Sequence, residues 1–513
     1  MKYSLHARPV YTVGRCITAR LFLALVFLSL VVPVRGFAGK TFDFNNNCQQ
    51  AYKEIISLKL KSGQEILDNE KKINPDNLIP DFLENYIDFF VLFFNQDPAE
   101  YKLRKENAER RLQLMKTGPA SSPFYLFTRS VIHFQWAAVH VKFAANWDAA
   151  WEFRRSFLQG RENQEKFPSF TPGFMLNGAM QVAAGTIPSG YKWLSNLLGI
   201  KGTIKGGMQG LEQFIGQSDP WASLFREEAI FYYLYLKFYI ENKKDEVFAF
   251  ITQHQLDIKS NHLFTYLAAN LAINNQQAAY AELIIRQRNI APEYFETPVW
   301  DLEMGYAKIN HLEPDAAIYL ERFISQFKGK FYIKDILQKL SWFYYLQGNL
   351  QKAKVYRQLI IKKGSLDTEA DKQAWKDAKN DKWPNALLLK SRLLNDGGYY
   401  KEALQMLEGK SSSDFSLPEE KLELAYRLGR LYDALERKDE AIAAYLTTIK
   451  LGQQRKEYFA ARAALQIGYI YEKRNDKPAA IAYFEKVIDL KDHDYKNSLD
   501  QKAKAGIARC KDE

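Results

Sequence analysis

The chain has 513 residues, a formal net charge of +11, 47% hydrophobic and 26% charged residues, and 34 Phe, 30 Tyr and 9 Trp. This apolar and aromatic content excludes a disordered chain, and the length exceeds what one hydrophobic core organises, leaving several domains or one elongated repeat array. Setting aside the five basic residues among the first 38 lowers the charge to +6, too little for a dedicated nucleic-acid binder or membrane-surface protein.

Residues 1–38 read as a signal peptide. Lys2, Arg8, Arg15 and Arg20 precede the apolar run Leu21 to Val34, and the small residues Gly36 and Ala38 follow as a cleavage site. The run is short for a bilayer span, which takes about 20 apolar residues. Cleavage near Ala38 is therefore expected, with a retained N-terminal anchor as the alternative. The expected location is exported: periplasmic or outer-membrane-associated. Cys48 and Cys510, at opposite ends of the remaining chain, read as free packing cysteines and not as a disulfide.

From 39 to 165 the pattern predicts a helical region with degenerate repeats, where Ala137, Ala149 and Phe153 recur at the spacing found more clearly downstream. Residues 166–218 stand apart. They include 25 uncharged residues between Lys166 and Lys192 and many glycines, and predict an apolar helical hairpin packed closely through those glycines. Insertion into a membrane or a partner is the alternative, although glycines and prolines interrupt any continuous apolar span.

Residues 219–513 read as a repeat array. Gly429, Tyr432, Ala441 and Tyr445 recur 39 residues later as Gly468, Tyr471, Ala480 and Phe484. The small residue and the alanine are 12 apart in both copies, and the alanine and aromatic 4 apart, which is the tetratricopeptide signature in a unit of about 34 residues. A small residue on the first helix lets the second approach, and the aromatics fill the groove between pairs. Gly305 and Ala317, Ser341 and Ala353, and Ser391 and Ala403 repeat the spacing of 12. Turns are expected at Gln347-Gly348-Asn349, Asp396-Gly397-Gly398, Arg437-Lys438-Asp439 and Arg474-Asn475-Asp476. The predicted fold class is all-α, a right-handed α-solenoid of tetratricopeptide-like helix pairs.

The sequence resembles the inclusion-body-clearance family of tetratricopeptide proteins. The likeness rests on Gly178, Ile187-Pro188, Trp193-Leu194, Leu197-Leu198-Gly199, Gly202, Gly207 and Leu211, followed by Phe225-Arg226-Glu227-Glu228-Ala229. It implies a scaffold or adaptor without established chemistry. The chain departs from that family in carrying an export signal, which suits a bacterial envelope.

Motifs that carry catalysis are missing from the sequence. Gly202 to Gly207 has the spacing of a phosphate-binding loop, but Met208 stands where its lysine belongs. Zinc-binding cysteine pairs and His-Glu-x-x-His do not occur. His133 and His140 read as core or groove residues, and Asp489, Asp492 and Asp494 as a solvated helix end. No catalytic residue, cofactor or metal is expected. The first helix of each pair should line a concave surface with its second, fifth, ninth and twelfth positions. That register yields Trp342, Tyr345, Arg392, Tyr426, Arg430 and Tyr469 as expected protein-binding residues. The leading reading is a non-enzymatic scaffold of the cell envelope that holds a polypeptide partner, without nucleic acid, associated with the outer membrane or an envelope complex. The alternative is a glycan-binding or carbohydrate-active helical protein working with an outer-membrane transporter. A glycosidase would need two convergent acids.

Overall fold

The computed structural model describes residues 39–186, 199–380 and 382–511. The expected signal peptide, and the Ile187-Pro188 to Leu198 part of the resemblance, lie outside the described residues. Those described form 24 α-helices and a short 3-10 turn at Ser412–Asp414, with an isolated bridge between Thr41 and Asn77 as the sole strand-like pairing. The chain is an all-helical solenoid of tetratricopeptide-like pairs.

The pairing follows from the small residues. A Cβ on Gly429, in the helix Pro418–Ala434, would lie 2.5 Å from the Tyr445 ring in the helix Lys438–Gly452. The same distance separates Gly468, in Phe459–Lys473, from the Phe484 ring in Lys477–Asp489. Ala441 and Ala480 are fully buried. Serine does the same task with a hydrogen bond. Ser341 Oγ donates to the Ala353 carbonyl at 2.9 Å and Ser391 Oγ to the Ala403 carbonyl at 3.2 Å. These hydroxyls satisfy themselves across the interface, which is why a polar residue is tolerated there.

Each turn between paired helices needs one residue in the left-handed region to reverse the chain. Gly348, Gly398, Glu436 and Asn475 take that role, with φ of +77°, +88°, +60° and +59°. The turn expected at Arg437-Lys438-Asp439 sits earlier, because Glu436 makes the reversal and the second helix resumes at Lys438.

In the glycine-rich region, the helices Pro172–Gly185 and Ile204–Gly216 pack backbone to backbone. A Cβ on Gly207 would meet the Gly178 carbonyl oxygen at 2.5 Å, and one on Gly202 the Gln181 carbonyl oxygen at 2.6 Å. No helix among the described residues is long and apolar enough to cross a membrane. One hydrophobic core runs from Phe44 to Met304, through the N-terminal helices, this hairpin and the start of the array. Three smaller cores follow along the remaining repeats.

The coil is tight enough for repeats remote in sequence to touch. Gln276 Nε2 donates to the Asn395 carbonyl across 119 residues at 2.9 Å, and the Tyr495 hydroxyl donates to Gln373 Oε1 across 122 residues at 3.1 Å. His311 stacks on Tyr399 with centroids 3.8 Å apart. These contacts narrow the inner wall and decide which of its side chains remain accessible.

Candidate functional site

Three consecutive first helices, Ala386–Gly397, Pro418–Ala434 and Phe459–Lys473, present Arg392, Arg430 and Arg462 to the inside of the coil. The final helix, Lys496–Lys511, closes the far side with Ser498 and Leu499. Between them lies a cavity of about 200 Å³, lined also by Asp396, Tyr426, Arg427, Tyr458 and Tyr495.

The charges there do not balance. Arg392 faces Asp396 one turn along its own helix at 3.7 Å, and Arg427 grips Glu423 at 2.7 Å. Arg430 reaches the Tyr426 hydroxyl at 3.5 Å and, like Arg462, forms no ion pair among the described residues. The Arg462 Nε is buried without a hydrogen-bond partner. Against four guanidiniums the lining sets one carboxylate, Asp396, which acts on both Arg392 and Arg430, so positive charge is in excess in a half-enclosed space where screening by water is weak.

Neighbouring groups register that potential. Burial by itself would raise the Tyr426 phenol, but Arg430, Arg462 and Arg427 outweigh it and bring the hydroxyl below its ordinary range. Lys244, contributed by the helix Lys244–Gln253 far upstream, is lowered by burial and then by Arg462 and Arg430. Lys502 is lowered by partial desolvation and then by Arg462 and Lys244. Two lysines from opposite ends of the array thus feel the same arginine, Arg462. The tyrosines form one wall, with Tyr458 edge-on to Tyr426 at 6.1 Å and to Tyr495 at 5.2 Å.

A larger cavity of about 410 Å³, near the hairpin, differs in kind. Its Lys237 is held by Glu246 at 2.8 Å and by the Tyr233 hydroxyl at 2.8 Å, so its charges are satisfied internally. It presents no unmet demand for a ligand.

Of the residues expected from the register, Arg392, Tyr426 and Arg430 meet in the arginine cleft. Trp342 lies beneath it, with the Arg392 guanidinium 5.0 Å and the Lys339 ammonium 4.7 Å from its ring. Two expectations of exposure are corrected: Trp342 is 6% and Tyr426 1% exposed. The register treats each pair alone, whereas here the next first helix lays Phe459 over Tyr426 at 4.9 Å. The fifth positions Gln338, Leu388 and Leu465 are buried likewise.

Tyr345 and Tyr469 point elsewhere. Tyr345 donates to the Pro384 carbonyl at 3.0 Å and stacks on Trp383 at 4.8 Å, and Tyr469 lies against Phe484 at 5.5 Å and under Arg509 at 6.0 Å. The selection also missed four groups. Arg462 occupies a second position of its unit and was open to selection by the register; Lys244, Tyr458 and Tyr495 lie outside any first-helix pattern and arrive through the curl of the coil.

Chemically the cleft can bind anions and offer tyrosine faces and hydroxyls. Its lining holds one carboxylate, Asp396, where hydrolysis of a glycoside calls for two. No group of three or more His, Cys, Asp or Glu that could hold a metal occurs among the described residues. His133 meets Glu152 from the adjacent helix at 2.5 Å, and the His140 ring nitrogen lies 3.0 Å from the Tyr101 hydroxyl, so both histidines are engaged in packing contacts.

Among curated proteins none matches the chain. A solved structure, the APC/C hetero-tetramer Cut9-Hcn1, aligns with 90% of this chain and 95% of its own, at 10% identity and a TM-score of 0.25. The family model for the tetratricopeptide repeat matches residues 422–451 and 461–494, so the two helix pairs that carry Tyr426, Arg430 and Arg462 are tetratricopeptide repeats.

Proposed function

We propose that this protein is a non-enzymatic scaffold that holds a polypeptide partner against the inner wall of its superhelix, with the arginine cleft as the anchoring point. The observation that carries this reading is the convergence of side chains from three successive first helices on one cavity in which Arg430 and Arg462 form no ion pair among the described residues. Stacked pairs build one continuous concave surface whose lining can vary without disturbing the core. Tyrosine and arginine dominate that lining, and these residues give large contact area with directional hydrogen bonds. Arg392 and Arg430 contact the partner directly in this reading; Tyr426, buried under Phe459, positions Arg430 through its hydroxyl, Trp342 supports Arg392 from below, and Tyr345 and Tyr469 extend the surface along the wall. The basic start, apolar run and small residues of positions 1–38 support a place of action in the cell envelope, with the segment removed near Ala38.

The test is affinity capture from envelope fractions with the full chain and with Arg430→Gln, Arg462→Gln and, as a control outside the cleft, Arg437→Gln, whose guanidinium pairs with exposed Glu440 and lies over the Tyr432 ring. A partner retained by the control and lost by both cleft variants supports the proposal. Equal capture by all of them moves the binding surface elsewhere.

A further inference from the structure

We infer that the arginine cleft is a site for a phosphomonoester dianion, bound between the guanidiniums of Arg430 and Arg462 beside the wall formed by Tyr426, Tyr458 and Tyr495. The inference rests on the reading of this cleft as the binding surface and specifies what binds there.

Charge sets the valence. Arg392 pairs with Asp396 and Arg427 with Glu423, whereas Arg430 and Arg462 form no ion pair among the described residues and both act on the same point, the Tyr426 hydroxyl. A carboxylate brings one negative charge; a phosphomonoester brings close to two on one centre, with three acceptor oxygens. Two planar guanidinium forks converging from separate helices match that arrangement, since each can donate two parallel hydrogen bonds to one oxyanion. The choice of arginine is informative too. A point-like ammonium would supply the charge without the fork.

The cost of the arrangement points the same way. Like charges crowded in a half-enclosed space repel one another, and after burial itself Arg462 is the next cause that holds Lys244 and Lys502 below their ordinary range. Elsewhere in the array several half-buried cations have carboxylate partners: Lys237 has Glu246, Lys308 has Asp315 and Lys438 has Asp433. Arg430 and Arg462 lack such a partner among the described residues, and the buried, unpartnered Nε of Arg462 is a donor without an acceptor. The cavity, at about 200 Å³, is larger than a phosphate group needs, so the organic body of the ester fits beside the tyrosine wall.

The test is isothermal titration calorimetry of the full chain, at fixed ionic strength, with inorganic phosphate, glutarate, a phosphoserine peptide and glucose 6-phosphate. The variants are Arg430→Gln, Arg462→Gln and the Arg437→Gln control. Saturable binding of inorganic phosphate is expected, at least tenfold tighter than glutarate, weakened tenfold or more by each cleft variant and unchanged in the control. Without ligand, Arg462→Gln should melt at or above the wild-type temperature, because it relieves repulsion on Lys244 and Lys502, and Arg430→Gln should keep the wild-type helical content; this separates lost binding from lost folding. Preference for the phosphoserine peptide would identify a modified side chain of the partner as the source, and preference for glucose 6-phosphate a free phosphorylated small molecule, both within the inferred chemistry. Absence of saturable phosphate binding, equal binding of glutarate, or indifference to both arginine substitutions would overturn it. If phosphate binding fails while partner capture still depends on Arg430, only the ligand class falls; if phosphate binds while capture is indifferent to both arginines, only the scaffold reading does.

Discussion

Gly429 lies flat against the ring of Tyr445, so close that a methyl group in its place would sit 2.5 Å from Cδ1. The ring cannot yield, because Tyr445 is itself fully buried and its hydroxyl reaches Asp433 at 3.3 Å. Gly429→Val should therefore overpack the pair. Strain of this sort costs about 1–3 kcal/mol, and the β-branched side chain recovers little helix propensity to offset it. The expected result is a lower urea midpoint at unchanged helical content. An unaltered midpoint would show that the two helices separate without cost.

A buried carboxylate ties the N-terminal helices to the array. Glu228 accepts from the hydroxyls of Tyr52 at 2.6 Å, Tyr232 at 2.7 Å and Tyr86 at 3.1 Å, and Tyr52 lies 176 residues away. Burial raises the Glu228 pKa and these phenols hold it back. Tyr52→Phe removes one donor from a buried acceptor. Hydrogen bonds to charged groups are worth about 1.5–3 kcal/mol, so a loss of that size is expected in denaturant titration. In a double-mutant cycle with Glu228→Gln the two losses should fall short of additivity by 1 kcal/mol or more, on the order expected for contacting pairs. Strict additivity would break the claimed link.

What could be read in the sequence and what could not divides along the range of the contacts. Ser341 to Ala353 and Gly468 to Phe484 are contacts between neighbouring helices, so the offset that makes them is written in the chain and the fold follows from it. Arg392 and Arg430 were readable in the same way, as ninth positions of their units. The cleft they enter was not. It depends on Lys244 coming within the electrostatic reach of Arg462, and on Tyr495 returning to Gln373, both consequences of superhelical curvature that accumulates from small rotations per pair. Tyr426 failed as an exposed residue for that reason, since nothing in its own unit announces that Phe459 of the next will cover it.

Asp371 caps a helix to which it does not belong. Its carboxylate accepts from the backbone N–H groups of Tyr332 at 2.7 Å, Lys334 at 2.8 Å and Asp335 at 3.2 Å, at the start of the helix Ile333–Leu346. Tyr332 itself sits at a φ of +62°, a conformation that costs a non-glycine residue of order 1–3 kcal/mol and needs such an anchor. Asp371→Ala strands those donors and should lower stability by about 3 kcal/mol, taking roughly 1–3 kcal/mol for each donor left buried and partial rescue by water. Asp371→Asn keeps an acceptor and should recover part of the loss. Hydrogen exchange at the amides of Lys334 and Asp335 ought to accelerate in the alanine variant before the rest of the chain responds; uniform acceleration would mean the cap is not local.

The fully buried Glu303 supplies a pH-dependent component of stability. Burial raises its pKa to about 7 against the opposing hydrogen bond from Asn270 Nδ2 at 2.8 Å. The fold therefore prefers the protonated acid. Its contribution is present in full below the unfolded value near 4.5 and is lost as pH climbs through 7, the reverse of a salt-bridged carboxylate. Glu303→Gln keeps the size of the side chain and never ionises. At pH 8 it should be more stable than the wild type by about 3 kcal/mol, the equivalent of a shift of roughly 2.5 pH units. The advantage should shrink steadily on acidification and vanish near pH 4.5. Because Tyr266 and Tyr306 nearby are raised well out of reach of this range by burial, Glu303 is the group whose titration the comparison isolates. Urea midpoints of both proteins across pH 4.5 to 8 decide the matter, and an offset that does not vary with pH would place the Glu303 carboxyl in contact with water.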